Sequence, residues 1–194
     1  IIGHSLGGSI SLLYTSIYPD NVKKLVAIEG LGPSPSMQKK MSEKLIGDRI
    51  RDWMADLRKS SGRSARRYPT LEDAFQRMQD ENPHLSEAQA RHLTIHGSNQ
   101  NEDGTFSWKF DNYVRFFAFS DLPRRDLKKL WGEIKCPTLL VRGVESWASD
   151  PVADGRTEHF NCPIEVEAFE KAGHWVHHDQ LEGFVQRVRT FLAD

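Results

Sequence analysis

A chain of 194 residues, 38% hydrophobic and 27% charged, is long enough for one folded domain and a subdomain. Its 26 basic and 27 acidic residues leave a formal charge of −1, which excludes the strongly basic balance of a nucleic-acid or anionic-membrane binder. No apolar run reaches the ~18 residues of a membrane-spanning helix.

The chain opens IIGHSLGGSI, and the two isoleucines read as the end of a buried strand. Ser9 to Tyr18 reads as a helix, with Ile10, Leu13 and Ile17 expected on its core face. Pro19-Asp20-Asn21 breaks it, and Val22 to Ile28 then ends in the apolar run of a buried parallel strand, followed by Glu29-Gly30. Met37, Met41, Leu45, Trp53, Met54 and Leu57 fall on one face of a single long helix. Thr70 with Asp73 opens a second helix, LEDAFQRMQDEN, and Ser86 with Gln89 a third, EAQARHL. NQNEDGT reads as a polar turn and DNYVRFFAF as a short aromatic helix. Strand patterns return with PTLLVRG at 137–143 and IEVEAF at 164–169. A last helix starts near Gln180, with Leu181, Phe184, Val185, Val188, Phe191 and Leu192 along one face. Strands alternating with helices imply an α/β fold with a parallel sheet, built from residues 1–32 and 126–194. Residues 33–125 read as a helical insertion placed where such sheets bind ligands.

Gly3-His4-Ser5-Leu6-Gly7 is a G-x-S-x-G pattern set between a strand and a helix. A serine on so sharp a turn needs small neighbours, and Gly3 and Gly7 are expected to supply the room. The helix that follows offers free N–H groups, so the Leu6 N–H is the expected oxyanion donor. No Lys-Ser/Thr follows the glycines, so the loop is not a nucleotide-binding P-loop. Serine needs a base. His174, in AGHWVHHDQLEGF, follows the last strand and precedes the last helix, which puts it on the same sheet edge as Ser5. His177 and His178 compete for that role, and no carboxylate cluster makes them a metal site with His174. The two cysteines, Cys136 and Cys162, read as reduced thiols, which favours a cytoplasmic setting. RKSSGRSARRYP reads as a solvated basic loop.

GHSLGG, LVAIEGLGPSP, CPTLLVRG and AGHWVHHDQLEGF, in that order and spacing, resemble the α/β-hydrolase fold serine hydrolases with a helical cap. The likeness is greatest to the serine-hydrolase-like and esterase branch. It spans essentially the whole chain and is strongest at both ends. The resemblance implies that residues 33–125 are the cap and that Ile1-Ile2 ends the fifth strand of a longer sheet. The chain is then expected to be N-terminally truncated, without its first strands and its second oxyanion donor. Losing those strands would leave one sheet edge open, so residues 1–194 alone are expected to aggregate.

The family usually sets its acid three or four residues past the glycine ending TLLVRG, where this sequence has Ser146 and Trp147. Glu145 is one residue early and Asp150 several late. Some relatives place the acid after the preceding strand, where this sequence has Glu29. Glu29, Glu145 and Asp150 all stay open as the group that orients His174, with the two glutamates ahead. The resemblance implies hydrolysis of a small-molecule carboxylic ester or related acyl substrate through an acyl-enzyme, with no cofactor, metal, nucleic acid or membrane. His4, Trp108, Phe110, Phe117 and Trp175 are the expected substrate contacts. The alternative is a catalytically inactive fragment, or a binding module that keeps the hydrolase shape.

Overall fold

The computed structural model describes residues 1–61, 65–111 and 124–193. The chain divides into two compact units, Ile1–Met41 with Asp121–Asp194, and Ser42–Ser120. No helix among the described residues is long and apolar enough to cross a membrane.

The first unit is built on a four-stranded parallel sheet of order β1-β2-β5-β6. Its strands are β1 (Ile2–His4), β2 (Leu25–Ile28), β5 (Thr138–Gly143) and β6 (Ile164–Phe169). The apolar runs LVAI and TLLV lie at the centre, and every residue of both is buried. Alternation splits their side chains between two layers. Leu25, Ala27 and Leu140 pack with Leu12, Trp131 and Ile134 on one face. Val26, Ile28, Leu139 and Val141 pack with Val176, Phe184, Val188 and Phe191 on the other. Helix α1 (Leu6–Ile17) contributes to the first layer. The short α7 (Val176–Asp179) and the C-terminal α8 (Leu181–Ala193) contribute to the second. On α8 the expected face narrows to Phe184, Val188 and Phe191, while Leu181 and Leu192 are exposed.

The expected face of α1 is wrong. Ile10 and Ile17 are more than half exposed, and the buried residues are Gly8, Ser11, Leu12, Thr15 and Ser16. The reason is close approach: a Cβ on Gly8 would stand 2.8 Å from the Gly30 Cα. The buried hydroxyls satisfy themselves within the helix: Ser11 Oγ donates to the Gly7 carbonyl and Thr15 Oγ1 to the Ser11 carbonyl, both at 2.7 Å.

The long helix expected across residues 37–57 is two helices, α2 (Pro35–Glu43) and α3 (Ile46–Ser61), parted at Lys44-Leu45. Met37, Met41, Leu45 and Met54 are exposed rather than facing a core. In the second unit α4 (Leu71–Glu81) and α5 (Glu87–Gly97) start as expected. Thr70 with Asp73, and Ser86 with Gln89, each form a complete capping box. Two short strands, β3 (Ser98–Gln100) and β4 (Phe106–Trp108), pair antiparallel around the polar turn, where only a turn was expected. Helix α6 (Arg124–Trp131) leads back into the sheet. Most of the expected aromatic helix DNYVRFFAF, with Phe117, lies outside the described residues.

Candidate active site

The parallel register places the site. His4 of β1 stands opposite Ile28 of β2, so Ser5 and Glu29 are the next residues on two adjacent strands. Both turn to positive φ, 52° at Ser5 and 51° at Glu29. That conformation is uncommon for residues with a Cβ and lifts each side chain off the sheet edge. Gly3 supplies room for the Ser5 turn: a Cβ there would meet the Gly7 carbonyl oxygen at 2.4 Å and Ser11 Oγ at 2.5 Å. Gly7 does not act as expected, since a Cβ at that position would meet nothing within 4 Å. Leu6 is the first residue of α1, so its N–H has no helical carbonyl behind it.

The Glu29 side chain is fully buried and its carboxylate is surrounded by donors. Oε1 accepts from the Gly143 N–H at 2.9 Å, where β5 ends. Oε2 accepts from Ser146 Oγ at 2.5 Å and lies 3.0 Å from His174 Nδ1. A buried carboxylate needs such partners to stay charged. Three atoms of three segments thus converge on one carboxylate, and one of them is an imidazole.

His174 sits in the loop between β6 and α7, which the sheet and its neighbours hold at four points. The Glu145 N–H donates to the Ala172 carbonyl at 3.0 Å, and the Gly173 N–H donates to Asp179 Oδ2 at 2.8 Å. Gln180 Nε2 donates to the Lys171 carbonyl at 3.2 Å. His4 Nε2 donates to the His174 carbonyl at 2.8 Å, which fixes the His4 tautomer. Burial lowers the pKa of His4 below the ordinary histidine value, against the raising effect of that bond. The His4 ring stands 4.8 Å from His174 and 4.7 Å from His177 between centroids. His177 is pushed down to about 4, first by burial and then by the neighbouring His178, His4 and His174. Its Nδ1 is buried with no hydrogen-bond partner among the described residues. Both His4 and His177 are therefore held toward the neutral form. Among the described residues no group of three or more His, Cys, Asp or Glu side chains could hold a metal ion.

A family model described as alpha/beta hydrolase fold matches residues 1–181. The chain belongs to the α/β-hydrolase fold family. A 2-hydroxy-6-oxo-2,4-heptadienoate hydrolase of Pseudomonas putida is 24% identical over 212 residues, covering 100% of this chain and 63% of the relative. An esterase of Mycobacterium tuberculosis is 26% identical over 199 residues, covering 99% of this chain and 60% of the relative. A solved structure of that esterase superimposes with a TM-score of 0.76 at 22% identity, over 100% of this chain and 62% of the other. The thioesterase domain from the curacin biosynthetic pathway gives 0.75 at 21% identity, over 96% and 64%. The chain thus spans about three-fifths of the length of these two curated relatives.

Against this α/β-hydrolase frame, the candidate residues separate. Ser5, Leu6, Glu29 and His174 lie in the sheet-bearing unit at the carboxyl ends of β1, β2 and β6. The carboxylate on His174 Nδ1 is that of Glu29, while Glu145 is exposed on the turn after β5 and meets the His174 loop through its backbone N–H. Asp150 is committed elsewhere, accepting from the Val152 and Ala153 N–H groups and lying 3.7 Å from Arg142. His4 was expected to face substrate, but its Nε2 is taken by the His174 carbonyl. Trp175 precedes α7 with its ring 5.4 Å from His178. The indole beside His174 is instead Trp147, 5.2 Å away between centroids and 61% exposed. Trp108 and Phe110 lie in the other unit, where Trp108 Nε1 donates to the Tyr68 hydroxyl at 3.2 Å. Sequence reasoning missed Ser146, Asp179 and Trp147 as neighbours of the histidine. Ser146 and Trp147 carried a signal, since they occupy the positions where the family sets its acid. Asp179 carried none.

Proposed function

We propose that the protein is a serine hydrolase that cleaves carboxylic esters or related small-molecule acyl compounds through an acyl-enzyme. The observation that carries this reading is the 3.0 Å contact of Glu29 with His174 on the sheet edge where Ser5 turns to positive φ. Glu29 holds the Nδ1–H of His174 and so directs the lone pair of Nε2 outward. Nε2 takes the proton of Ser5 as Oγ attacks the acyl carbon. Charge develops on the carbonyl oxygen, and the Leu6 N–H at the start of α1 stabilises it. His174 then protonates the leaving group, which breaks the ester bond and leaves Ser5 acylated. Water then attacks the acyl carbon as His174 takes its proton, and His174 gives that proton to Ser5 Oγ as the bond to the acyl carbon breaks and the acid leaves. The imidazolium formed in each half-reaction is paired with the buried carboxylate. Neither metal nor cofactor enters this scheme. The relatives named hydrolases and esterases support the reaction class. Two free cysteines fit a cytoplasmic setting.

The test is hydrolysis of p-nitrophenyl butyrate by the protein and by Ser5→Ala, with fluorophosphonate labelling read by peptide mass spectrometry. The expected loss in kcat is at least ~10⁴-fold, with the label on Ser5. Undiminished turnover by the variant, or labelling of another residue, overturns the proposal.

A further inference from the structure

We propose that Ser146 is a positioning residue that acts on His174 through Glu29. The inference rests on the functional reading above. Ser146 lies on the turn that leaves β5, and two backbone bonds pin that turn to the end of β6 and the loop after it. The Val144 N–H donates to the Phe169 carbonyl at 2.9 Å, and the Glu145 N–H to the Ala172 carbonyl at 3.0 Å. The Ser146 hydroxyl is thereby carried to the one carboxylate oxygen that also meets the imidazole.

The direction of its proton is forced. An ionised carboxylate only accepts, and the Ala148 N–H, 3.2 Å from Ser146 Oγ, only donates. The hydroxyl therefore accepts from Ala148 and donates to Glu29 Oε2. At 2.5 Å this bond falls in the range of a charge-assisted O–H···O⁻ contact. Glu29 then has a fixed donor on each oxygen, Gly143 on Oε1 and Ser146 on Oε2. Together they stop rotation of the carboxylate plane and leave one lone-pair direction of Oε2 for Nδ1–H. Without Ser146 the single Gly143 bond is a pivot. The carboxylate can turn about it, and the aim of His174 loosens with it. Geometry of this kind is worth a rate factor even when the chemical groups are all present.

The experiment compares the protein with Ser146→Ala, Ser146→Thr and Ser5→Ala. Two readouts are taken: kcat and KM on p-nitrophenyl butyrate, and the low-field proton resonance of the His174 Nδ1–H bound to Glu29. Ser146→Ala is expected to lose roughly tenfold in kcat with KM changed less than about twofold. The low-field resonance moves or broadens, and Ser146→Thr, which restores a hydroxyl, recovers both. If Ser146→Ala does not fold, Ser146→Cys carries the same expectation, since it keeps the shape and weakens the donor. An unchanged resonance in the variant overturns the inference, as does a fall in kcat that Ser146→Thr does not recover. Wild-type activity in Ser5→Ala defeats the functional reading instead, and the resonance then decides the grip of Ser146 on the Glu29–His174 pair by itself.

Discussion

Mild acid is expected to weaken this fold through its buried imidazoles, and most through His177. Its pKa is held at about 4 in the folded protein, against an ordinary 6.5. Above pH 6.5 the ring is neutral folded or unfolded, and the full stability is present. As pH falls toward 4 the unfolded chain takes up a proton that the folded one refuses, so stability is lost across that window. At about 1.4 kcal/mol for each pH unit the full displacement is worth about 3 kcal/mol, and partial exposure of the ring brings this to roughly 2 kcal/mol. The perturbation is His177→Phe, which keeps an aromatic ring beside Phe184 and removes the unpartnered Nδ1. Urea unfolding of both proteins at pH 7.0 and 4.5 measures the effect. The variant is expected to lose about 2 kcal/mol less than the wild type between the two pH values. His4 stands 4.7 Å from His177 and is coupled to it, so the difference reports His177 together with that coupling. Equal losses in the two proteins would refute the reasoning.

Two further outcomes follow from the same geometry. Glu29→Gln is expected to fold and to lose about 10³- to 10⁴-fold in ester hydrolysis, because an amide cannot hold the imidazolium; Glu145→Gln, on the exposed turn, should stay within about twofold of wild type. Parallel kinetics on the two variants check this. Gly143→Ala is expected to unfold the protein or lower its melting temperature by more than about 10 °C, since a Cβ there would stand 2.2 Å from the Gly173 carbonyl oxygen and 2.4 Å from that of Ala172. A thermal melt followed by circular dichroism checks it.

The alternation of strand and helix was legible because LVAI and TLLV are buried on both faces and, Thr138 apart, carry no polar residue to confuse the pattern. The starts of α4 and α5 were legible because each capping box is a local device, closed within four residues. Helix α1 was misread for a physical reason. Apart from Leu12 its buried face is made of glycine and hydroxyl residues, the hydroxyls bonding to their own backbone, while isoleucines and tyrosines lie outside, so apolar periodicity pointed the wrong way. The break at Lys44-Leu45 escaped because methionines and leucines continued at helical spacing across it. The choice between Glu29 and Glu145 escaped for another reason. Both follow a strand end and both have the reach, and only the strand register decides which faces the histidine.

That register also explains how the strain at the site is held. Positive φ at a residue with a Cβ costs of order 1–3 kcal/mol, and the site carries it at both Ser5 and Glu29. Neither residue is left to a flexible loop. The Ser5 N–H donates to the Ile28 carbonyl at 2.8 Å, and the Glu29 N–H donates to the Val141 carbonyl at 2.9 Å. Each bond continues the parallel ladder one step past the end of its strand. The acceptors, Ile28 and Val141, are themselves buried in the centre of the sheet. The strain is therefore opposed by bonds that cannot be exchanged for water without opening the core beneath them. Ser5 is tied to β2, Glu29 to β5, and His174 is tied back to β1 through His4. The positions of all three follow from the packing of two short apolar strands, so a core change at Ile28 or Val141 would be felt at the site before it unfolded the sheet.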